Sequence, residues 1–372
     1  MNIFIVTCFV CWRILLFLNS YAGSVLLPFQ PRFPYSDIYL IPSGLPSWIW
    51  SFANFDGVHY LTIARQGYSA QFTQVFFPVF PLVLSLFEKI FHFLPSLWVS
   101  LTFSNLLFLV SLFVFKKLLA LDYRRQDFKW ILVFLLLFPT SFYFGSLYTE
   151  GLFLLFVFSS LLLARKKNWL LSSLFAALAS ATRFVGIFLL PALLYEWYLS
   201  KKKNIIYSPV LYIAPLGLVA YMIYLQISFA DALYFWHAQP VFGAFRSGTG
   251  IILLPQVFWR YYKILTTVSV QSLAFWIPLS ELVSILFAIA SLILAHHKNV
   301  RLSYLIYSWP SLILPTLTGT LSSMPRYILI IFPIFIVFGL IKSKVVKYLL
   351  LTSFFILLVI YTILFTRGFW VA

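Results

Sequence analysis

The sequence predicts an all-α polytopic membrane protein, and three observations support this fold class. Hydrophobic residues fill 62% of the 372 positions and charged residues only 9%, whereas soluble domains carry about 25% charged residues. The mean hydropathy is +0.98. Apolar runs close to the length of about 20 residues that crosses a bilayer recur along the chain. We therefore expect one integral membrane domain over residues 1–372, with about 11 transmembrane helices.

The apolar runs define the predicted transmembrane segments. Several are shorter than the roughly 20 residues of a straight crossing, so we expect some helices to be broken, tilted or only partly inserted, as is tolerated around a cavity. The first segment lacks a basic region before it and contains Arg13, which indicates an uncleaved helix rather than a signal peptide. The predicted segments are residues 3–22, 96–115, 130–146, 150–164, 169–182, 184–199, 205–228, 276–295, 302–320, 327–341 and 347–366.

Charge predicts how these segments are oriented. The net charge is +17, and its basic residues form short clusters between apolar runs, which is typical of cytoplasmic loops and not of nucleic-acid binding. Two long loops, 23–95 and 229–275, are aromatic and poor in lysine, so we predict that they face outward and roof an outer-face cavity. Of the 26 basic residues, 16 lie in the predicted inner loops: Lys116, Lys117, Arg124, Arg125, Lys129, Arg165, Lys166, Lys167, Lys201, Lys202, Lys203, Lys298, Arg301, Lys342, Lys344 and Lys347.

One further apolar run, residues 74–92, does not fit this topology as a crossing. A full crossing there would move the basic 116–129 loop to the outside. Pro78 and Pro81 interrupt its start, and Glu88 and Lys89 lie near its end. We therefore predict a short interfacial or re-entrant helix on the outer side.

The outer loop contains the first candidate for chemistry, Asp56, one of only nine acidic residues in the chain. The pattern predicts a short helix with Asn54 as N-cap and Gly67 just past its end. Asp56 then lies in the first turn, with His59 and Tyr60 on the same face. Asp56 could cap the helix instead, but Asn54 can supply that cap, so the pattern favours a functional carboxylate.

Three further groups fall at predicted outer ends of helices. Glu150 opens a predicted helix, where either the helix dipole or a binding role explains its charge. Arg183 lies between two short apolar segments with few acids to pair with it. It therefore suits a phosphate ligand, although snorkelling towards the interface also explains it. Arg326, followed by Tyr327, is a second candidate phosphate ligand in a short outer turn.

The second long outer loop adds His237 and Gln239, whose hydrogen-bonding groups lie among aromatic residues. This composition suits sugar stacking and an interfacial aromatic belt equally well. Cys8 and Cys11 form a C-x-x-C spacing inside the first apolar segment, where we interpret them as two small apolar residues. The sequence has no Walker A loop, dinucleotide fingerprint or zinc-binding H-E-x-x-H motif. We predict no cofactor and no essential bound metal.

Taken together, these motifs resemble the PIG-V family of membrane mannosyltransferases, which have the GT-C glycosyltransferase fold. The resemblance extends from about residue 48 to residue 340 and depends on the order and spacing of short motifs. The family usually has Trp before the aspartate, where this chain keeps an aromatic residue as Phe55. The matching residues are Phe55, Asp56, Tyr60, Ile63, Ala64, Gly67, Tyr68, Phe76, Phe77, Pro78, Pro81, Pro139, Tyr148, Thr149, Glu150, Arg183, Gly186, Ser323, Arg326, Tyr327 and Pro333.

The resemblance implies transfer of a sugar, typically mannose, from a polyprenyl-phosphate donor to a lipid, glycan or protein acceptor on the outer face. It implies that Asp56 is the general base of an inverting reaction, and that Arg183 and Arg326 stabilise the departing phosphate. His59 could assist either partner. The remaining candidate substrate-binding residues are Tyr60, Glu150, His237, Gln239 and Tyr327.

The acceptor stays open at this point. Eukaryotic members of the family add a mannose during GPI-anchor assembly in the endoplasmic reticulum, whereas a short chain such as this one could be a prokaryotic relative in the plasma membrane. An alternative function is that of a transporter or lipid flippase with a central cavity. That alternative predicts polar residues at the midplane of several helices or an internal repeat, and neither is clear in this sequence.

Overall fold

All regular structure in the described part of the chain is helical. The computed structural model describes residues 1–30, 36–200 and 209–371, and it contains no strand within them. Three predicted inner-loop lysines, Lys201, Lys202 and Lys203, lie outside the described residues, as does the start of the predicted segment 205–228. The chain divides into two compact units. The first unit is Met1–Leu162 with Phe338–Val371, and the second is Leu163–Val337.

The helices follow one another with short connections. α9 begins in the first unit and ends in the second, and α18 crosses the other boundary. The α-helices are α1 Asn2–Leu26, α2 Ser36–Tyr39, α3 Ser47–Trp50, α4 Asp56–Gln66, α5 Val79–Ile90, α6 Ser96–Leu119, α7 Arg125–Leu137, α8 Phe142–Gly145, α9 Glu150–Arg165, α10 Trp169–Ser180, α11 Leu189–Leu199, α12 Leu216–Phe229, α13 Tyr234–His237, α14 Leu254–Thr267, α15 Leu273–His297, α16 Leu302–Ile313, α17 Met324–Tyr327, α18 Pro333–Gly339 and α19 Lys344–Thr366.

Length and composition identify five helical stretches of the described chain that could cross a membrane. These stretches confirm an integral membrane protein, and each overlaps a predicted segment. The other predicted segments contain shorter or interrupted helices, as expected from their length, and the total of about 11 crossings stays a prediction. The five stretches are Asn2–Leu26, Ser96–Leu119, Pro209–Phe229, Ala274–His297 and Lys344–Thr366.

In the first unit, basic side chains collect where α1 and α19 begin. The Nζ atom of Lys116 donates to Asn2 at 2.6 Å, and the Nζ atom of Lys129 lies 5.4 Å from the ring centroid of Phe4. The Nζ atom of Lys347, near the start of α19, lies 4.6 Å from the Trp130 ring centroid. We call the end of this unit that carries Lys116, Lys129 and Lys347 the basic end.

The opposite end of the first unit is where α1 and α19 finish side by side. The Nε atom of Arg367, just past α19, donates to the backbone carbonyl of Leu27, just past α1, at 2.9 Å. One turn earlier the helices touch so closely that a Cβ on Gly23 would lie 3.2 Å from Ile363. The two helices are therefore parallel, and the chain after α1 starts at the end remote from the basic end.

The apolar run 74–92 forms α5, which has 12 residues. A helix of this length spans about 18 Å, well short of the roughly 30 Å hydrocarbon core. Glu88 ties it to its neighbours, since the Arg65 Nε atom of α4 lies 3.3 Å from its carboxylate and the Ser100 hydroxyl of α6 donates to it at 2.7 Å. The shortness of α5 supports a helix that does not cross, and its membrane side stays a prediction.

The second unit contains an ion pair between helices in which the carboxylate is buried and the guanidinium is half-buried. Glu196 of α11 is 4% exposed and accepts hydrogen bonds from the Nε and Nη2 atoms of Arg301, at 2.5 and 2.7 Å. The Ser303 hydroxyl of α16 donates to the same carboxylate at 2.6 Å. A bidentate pair of this kind fixes geometry as well as charge, so it locks the end of α11 to the start of α16.

Candidate functional site

The segment before Asp56 differs from its predicted form. The N-cap of α4 is Phe55, so the prediction that Asn54 caps this helix is wrong. Asn54 is fully buried, and its Nδ2 atom donates to the backbone carbonyl of Phe365 at 3.0 Å. The amide is held by the last turn of α19, and tertiary contact therefore replaces the local cap. Gly67 does end α4 as expected, with φ 67°.

Phe55 holds an uncommon backbone conformation directly before Asp56. Its φ of 59° and ψ of −117° lie in a region that residues with a Cβ seldom adopt. Strain of this kind persists only where surrounding contacts fix it, and it concentrates at functional sites. The Phe55 ring packs against Phe365 and Trp370 with centroid distances of 5.6 and 5.1 Å. The last turn of α19 and the segment after it therefore fix the backbone that presents Asp56.

Tyr148 secures the same segment from another direction. Its hydroxyl donates to the backbone carbonyl of Asn54 at 3.0 Å, and the ring of Tyr60 faces it at a centroid distance of 6.5 Å. Both tyrosines are buried. Asp56, the first residue of α4, is half-buried. A carboxylate on a segment fixed at several points is suited to a task that needs defined geometry.

His59 lies one helical turn after Asp56, in reach of its charge. The imidazole stacks on Phe76 with a centroid distance of 5.0 Å and an interplanar angle of 22°. Burial lowers the pKa of His59, while the Asp56 carboxylate acts in the opposite direction. The net direction favours the neutral imidazole, which can donate one hydrogen bond and accept another. The effect of the Asp56 charge on His59 is consistent with the prediction that the two residues share one face of α4.

Glu150 begins α9 and is fully buried in the first unit. Its carboxylate therefore lies at the N-terminus of a 16-residue helix, where the helix dipole stabilises negative charge. Tyr148, whose hydroxyl bonds to the Asn54 carbonyl, precedes it by two residues.

In the second unit, Arg183 and Tyr327 come together. The guanidinium carbon of Arg183 lies 5.5 Å from the Tyr327 ring centroid, within the range of a cation–π contact. Arg326 is the neighbour of Tyr327 in the short helix α17 and is 5% exposed. Three predicted ligands thus fall into one group, although 143 positions separate the two arginines in the sequence.

His237 ends the short helix α13 of the second unit and Gln239 follows it, and this part of the chain contacts the segment after Arg183. The ring of Phe235 packs on Phe184 with a centroid distance of 5.4 Å, and the Gln239 Nε2 atom donates to the Phe235 carbonyl at 3.2 Å. The Nδ1 atom of His237 lies 2.7 Å from the Asp231 carboxylate. Asp231 therefore orients this exposed imidazole.

Sequence reasoning missed another buried carboxylate, Glu281. It lies within α15, inside one of the stretches that could cross a membrane, and Tyr261 of α14 donates a hydrogen bond to it. An acidic residue within an apolar span is itself a sign of function. That signal was available in the sequence, but its partner Tyr261 was not evident.

Comparison with known proteins agrees with the resemblance described above. A family model described as mannosyltransferase (PIG-V) matches residues 4–199, more than half of the chain. The matched region includes Asp56, His59, Glu150 and Arg183, whereas Arg326 lies beyond it. No curated protein matches the chain.

Proposed function

Because this chain belongs to the PIG-V mannosyltransferase family, we propose that it transfers mannose from a polyprenyl-phosphate donor to an acceptor at the outer face of the membrane. The family establishes a membrane glycosyltransferase. The donor, the sidedness and the inverting mechanism are parts of the proposal. The acceptor is a lipid, glycan or protein that presents a hydroxyl group.

The observation that carries this proposal is the position of Asp56 in the first unit. Asp56 follows Asn54, which is bonded to the last turn of α19, whereas Lys347 and the rest of the basic end lie where α19 begins. Basic residues favour the cytoplasmic side of a membrane. This separation along α19 supports an outward-facing Asp56, on the side where lipid-linked sugar donors would be met.

In the proposed reaction, a carboxylate oxygen of Asp56 takes the proton from the acceptor hydroxyl. The acceptor oxygen attacks the anomeric carbon of the donor as the bond from that carbon to the phosphate oxygen breaks. The phosphate leaves with the bonding electron pair, and the configuration at the anomeric carbon inverts. The fixed backbone at Phe55 supports this role, because a general base must lie within about 3 Å of the oxygen whose proton it abstracts.

In this proposal, two arginines bind the leaving phosphate. Arg183 and Arg326 each carry a guanidinium, which matches the geometry of phosphate oxygens better than an ammonium group does. The contact between Arg183 and Tyr327 orients the first guanidinium. Negative charge grows on the phosphate as the glycosidic bond breaks, so both arginines would stabilise the transition state.

The other candidate residues bind or orient substrate in this proposal. His59, held neutral by burial, donates or accepts a hydrogen bond beside Asp56. His237 and Gln239 offer hydrogen bonds next to aromatic rings, which suits the polar and apolar faces of a sugar. Tyr60 and Glu150 are the buried members of the proposed substrate-binding set.

A reconstitution experiment tests this function. Purified protein in vesicles receives labelled polyprenyl-phosphate mannose and a lipid extract from its host, and the products are identified by mass spectrometry. The proposal predicts a mannosylated product together with released polyprenyl phosphate. Movement of the labelled donor across the bilayer without any glycosyl product would instead indicate a flippase.

A further inference from the structure

Glu281, Tyr261 and the turn before α17 form a buried hydrogen-bonded cluster in the second unit. The Tyr261 hydroxyl donates to the Glu281 carboxylate at 2.5 Å and lies 3.2 Å from the Thr320 hydroxyl. The backbone N–H of Leu321 donates to the Tyr261 oxygen at 2.9 Å. Tyr261 and Glu281 are each 4% exposed, so these bonds form away from water.

The available protons determine which group donates and which accepts in each hydrogen bond of this cluster. A tyrosine hydroxyl has one hydrogen and two acceptor positions. Its hydrogen goes to Glu281, so the Thr320 hydroxyl must donate to the Tyr261 oxygen. The Thr320 oxygen in turn accepts the backbone N–H of Ser322 at 3.1 Å, and the backbone of Ser323 bonds to Glu281 directly. The backbone N–H groups of Leu321, Ser322 and Ser323 are thus all hydrogen-bonded. Each belongs to the network that ends on the Glu281 carboxylate.

The turn held in this way leads directly into α17. Ser323 has a left-handed φ of 67°, and its carbonyl accepts the N–H groups of Arg326 and Tyr327 at 3.0 and 2.9 Å. A four-residue helix has too few internal bonds to be stable alone. The positions of Arg326 and Tyr327 therefore depend on what holds the turn before them.

Glu281 differs in its bonding from the other buried acid of this unit. The guanidinium of Arg301 donates two hydrogen bonds to Glu196. This pair neutralises the Glu196 charge and joins two helices. Glu281 instead accepts hydrogen bonds from the Tyr261 hydroxyl and the Ser323 backbone, and the charge of Arg246 is nearby. Burying an ionisable group in a membrane span costs free energy. The bonds that offset this cost for Glu281 are those that connect it to the turn.

We infer that Tyr261 and Glu281 are positioning residues that fix the Leu321–Ser323 turn, so that Arg326 and Tyr327 are held ready for the phosphate of the donor. This inference rests on the proposed function for the identity of the ligand. It predicts that loss of the network weakens donor binding while acceptor binding is unchanged.

The test compares Tyr261→Phe with the adjacent control Tyr262→Phe, whose side chain is exposed. Tyr261→Phe removes the hydroxyl but keeps the ring, and we expect the KM for polyprenyl-phosphate mannose to rise about tenfold with the KM for acceptor unchanged. Glu281→Gln keeps a carbonyl oxygen that accepts the Tyr261 hydroxyl, so it should show a smaller rise. Equal KM values in Tyr261→Phe and wild type would overturn the inference, as would equal rises for donor and acceptor.

Two further measurements keep this test separate from the proposed function. Direct binding of polyprenyl phosphate, measured by native mass spectrometry, should weaken about tenfold in Tyr261→Phe whether or not transfer is detected. Backbone hydrogen exchange should speed up at Leu321–Ser323 in the same variant. Unchanged binding and exchange contradict the inference alone, whereas absence of transfer by the wild type contradicts the proposed function. If Tyr261→Phe does not fold, Thr320→Val removes two bonds of the same network, those to Tyr261 and to the Ser322 N–H, and carries the same expectations.

Discussion

The side-chain amide of Asn54 donates a hydrogen bond of 3.0 Å to the backbone carbonyl of Phe365, which lies 311 residues later in the chain. The same nitrogen lies 3.5 Å from the Thr366 carbonyl. These contacts attach the segment that carries Asp56 to the end of α19, a helix of 23 residues. The candidate base is thus held by the C-terminal part of the chain as well as by its own helix.

Replacement of Asn54 by alanine should therefore loosen this segment. The change removes the bond to Phe365 and leaves a small buried cavity, and we expect the free energy of unfolding to fall by about 1–3 kcal/mol. Thermal unfolding in detergent measures the effect. Gln126→Ala, which removes an exposed amide from α7, is the matched control. Equal unfolding temperatures for the two variants would contradict the importance of this contact.

The pH dependence of stability should show the effect of the lowered pKa of His59. Burial lowers its pKa in the folded protein, whereas the unfolded chain titrates near 6.5. As the pH falls below about 6.5, the unfolded state takes up a proton first, so the contribution of His59 to stability is complete above that pH and is lost below it. His59→Phe keeps a ring on Phe76 and should flatten the decline of unfolding temperature between about pH 6.5 and pH 5.

The exposed His92 provides the control for that experiment. His92→Phe also replaces an imidazole by a phenyl ring, but at an exposed position, and it should keep the wild-type decline. A decline that persists unchanged in His59→Phe would show that His59 does not titrate as its burial requires.

The helix carrying Asp56 was the part of the site most open to prediction from sequence. The spacing from Asn54 to Gly67 predicted a short helix, and α4 runs from Asp56 to Gln66. Its start could not be predicted correctly, because Asn54 has a partner in α19 that no local pattern reveals. The strained φ of Phe55 has the same origin, since its contacts with Phe365 and Trp370 are equally distant in sequence.

The connection between α4 and α5 gives a further prediction. Glu88 is 12% exposed and pairs with Arg65, while the Ser100 hydroxyl also donates to it. Glu88→Ala removes both bonds and should lower the free energy of unfolding by about 1 kcal/mol. Hydrogen exchange in α4 should also become faster. Glu88→Gln keeps acceptor capacity for Ser100 and should fall between alanine and wild type, so an order other than this would argue against the tether.

Replacement of Arg183 should reduce activity even when the new side chain is also a cation. Arg183→Lys keeps the positive charge but loses the planar fork that binds phosphate oxygens and stacks on Tyr327. We expect kcat/KM for the donor to fall by about tenfold to one hundredfold, as for loss of one charge-assisted contact. Lys298→Gln removes an exposed charge from the same unit and should leave kcat/KM unchanged. A fully active Arg183→Lys variant would remove this residue from the phosphate site.

The second unit shows why the remainder of the site was harder to predict. Arg183 and Arg326 could be selected as rare charges at helix ends, and the contact of Arg183 with Tyr327 agrees with that selection. Glu281 is also a rare charge, within an apolar span, yet its meaning depends on Tyr261 and on the turn at Leu321. Glu281, Tyr261 and the turn come from three separate parts of the chain, so only the folded arrangement identifies the cluster.

The central claim is that Asp56 acts as the general base, and the comparison of Asp56→Asn with Asp37→Asn tests it most directly. Asp37 is an exposed acid in the same long loop, so its replacement removes an equal charge nearby. The measurement is the initial rate of mannose transfer from polyprenyl-phosphate mannose at saturating donor, with thermal unfolding recorded for each variant. Asp56→Asn should fold normally and lose at least about one hundredfold in rate, the usual contribution of a general base, while Asp37→Asn keeps the wild-type rate. Wild-type transfer by a folded Asp56→Asn variant would contradict the assignment.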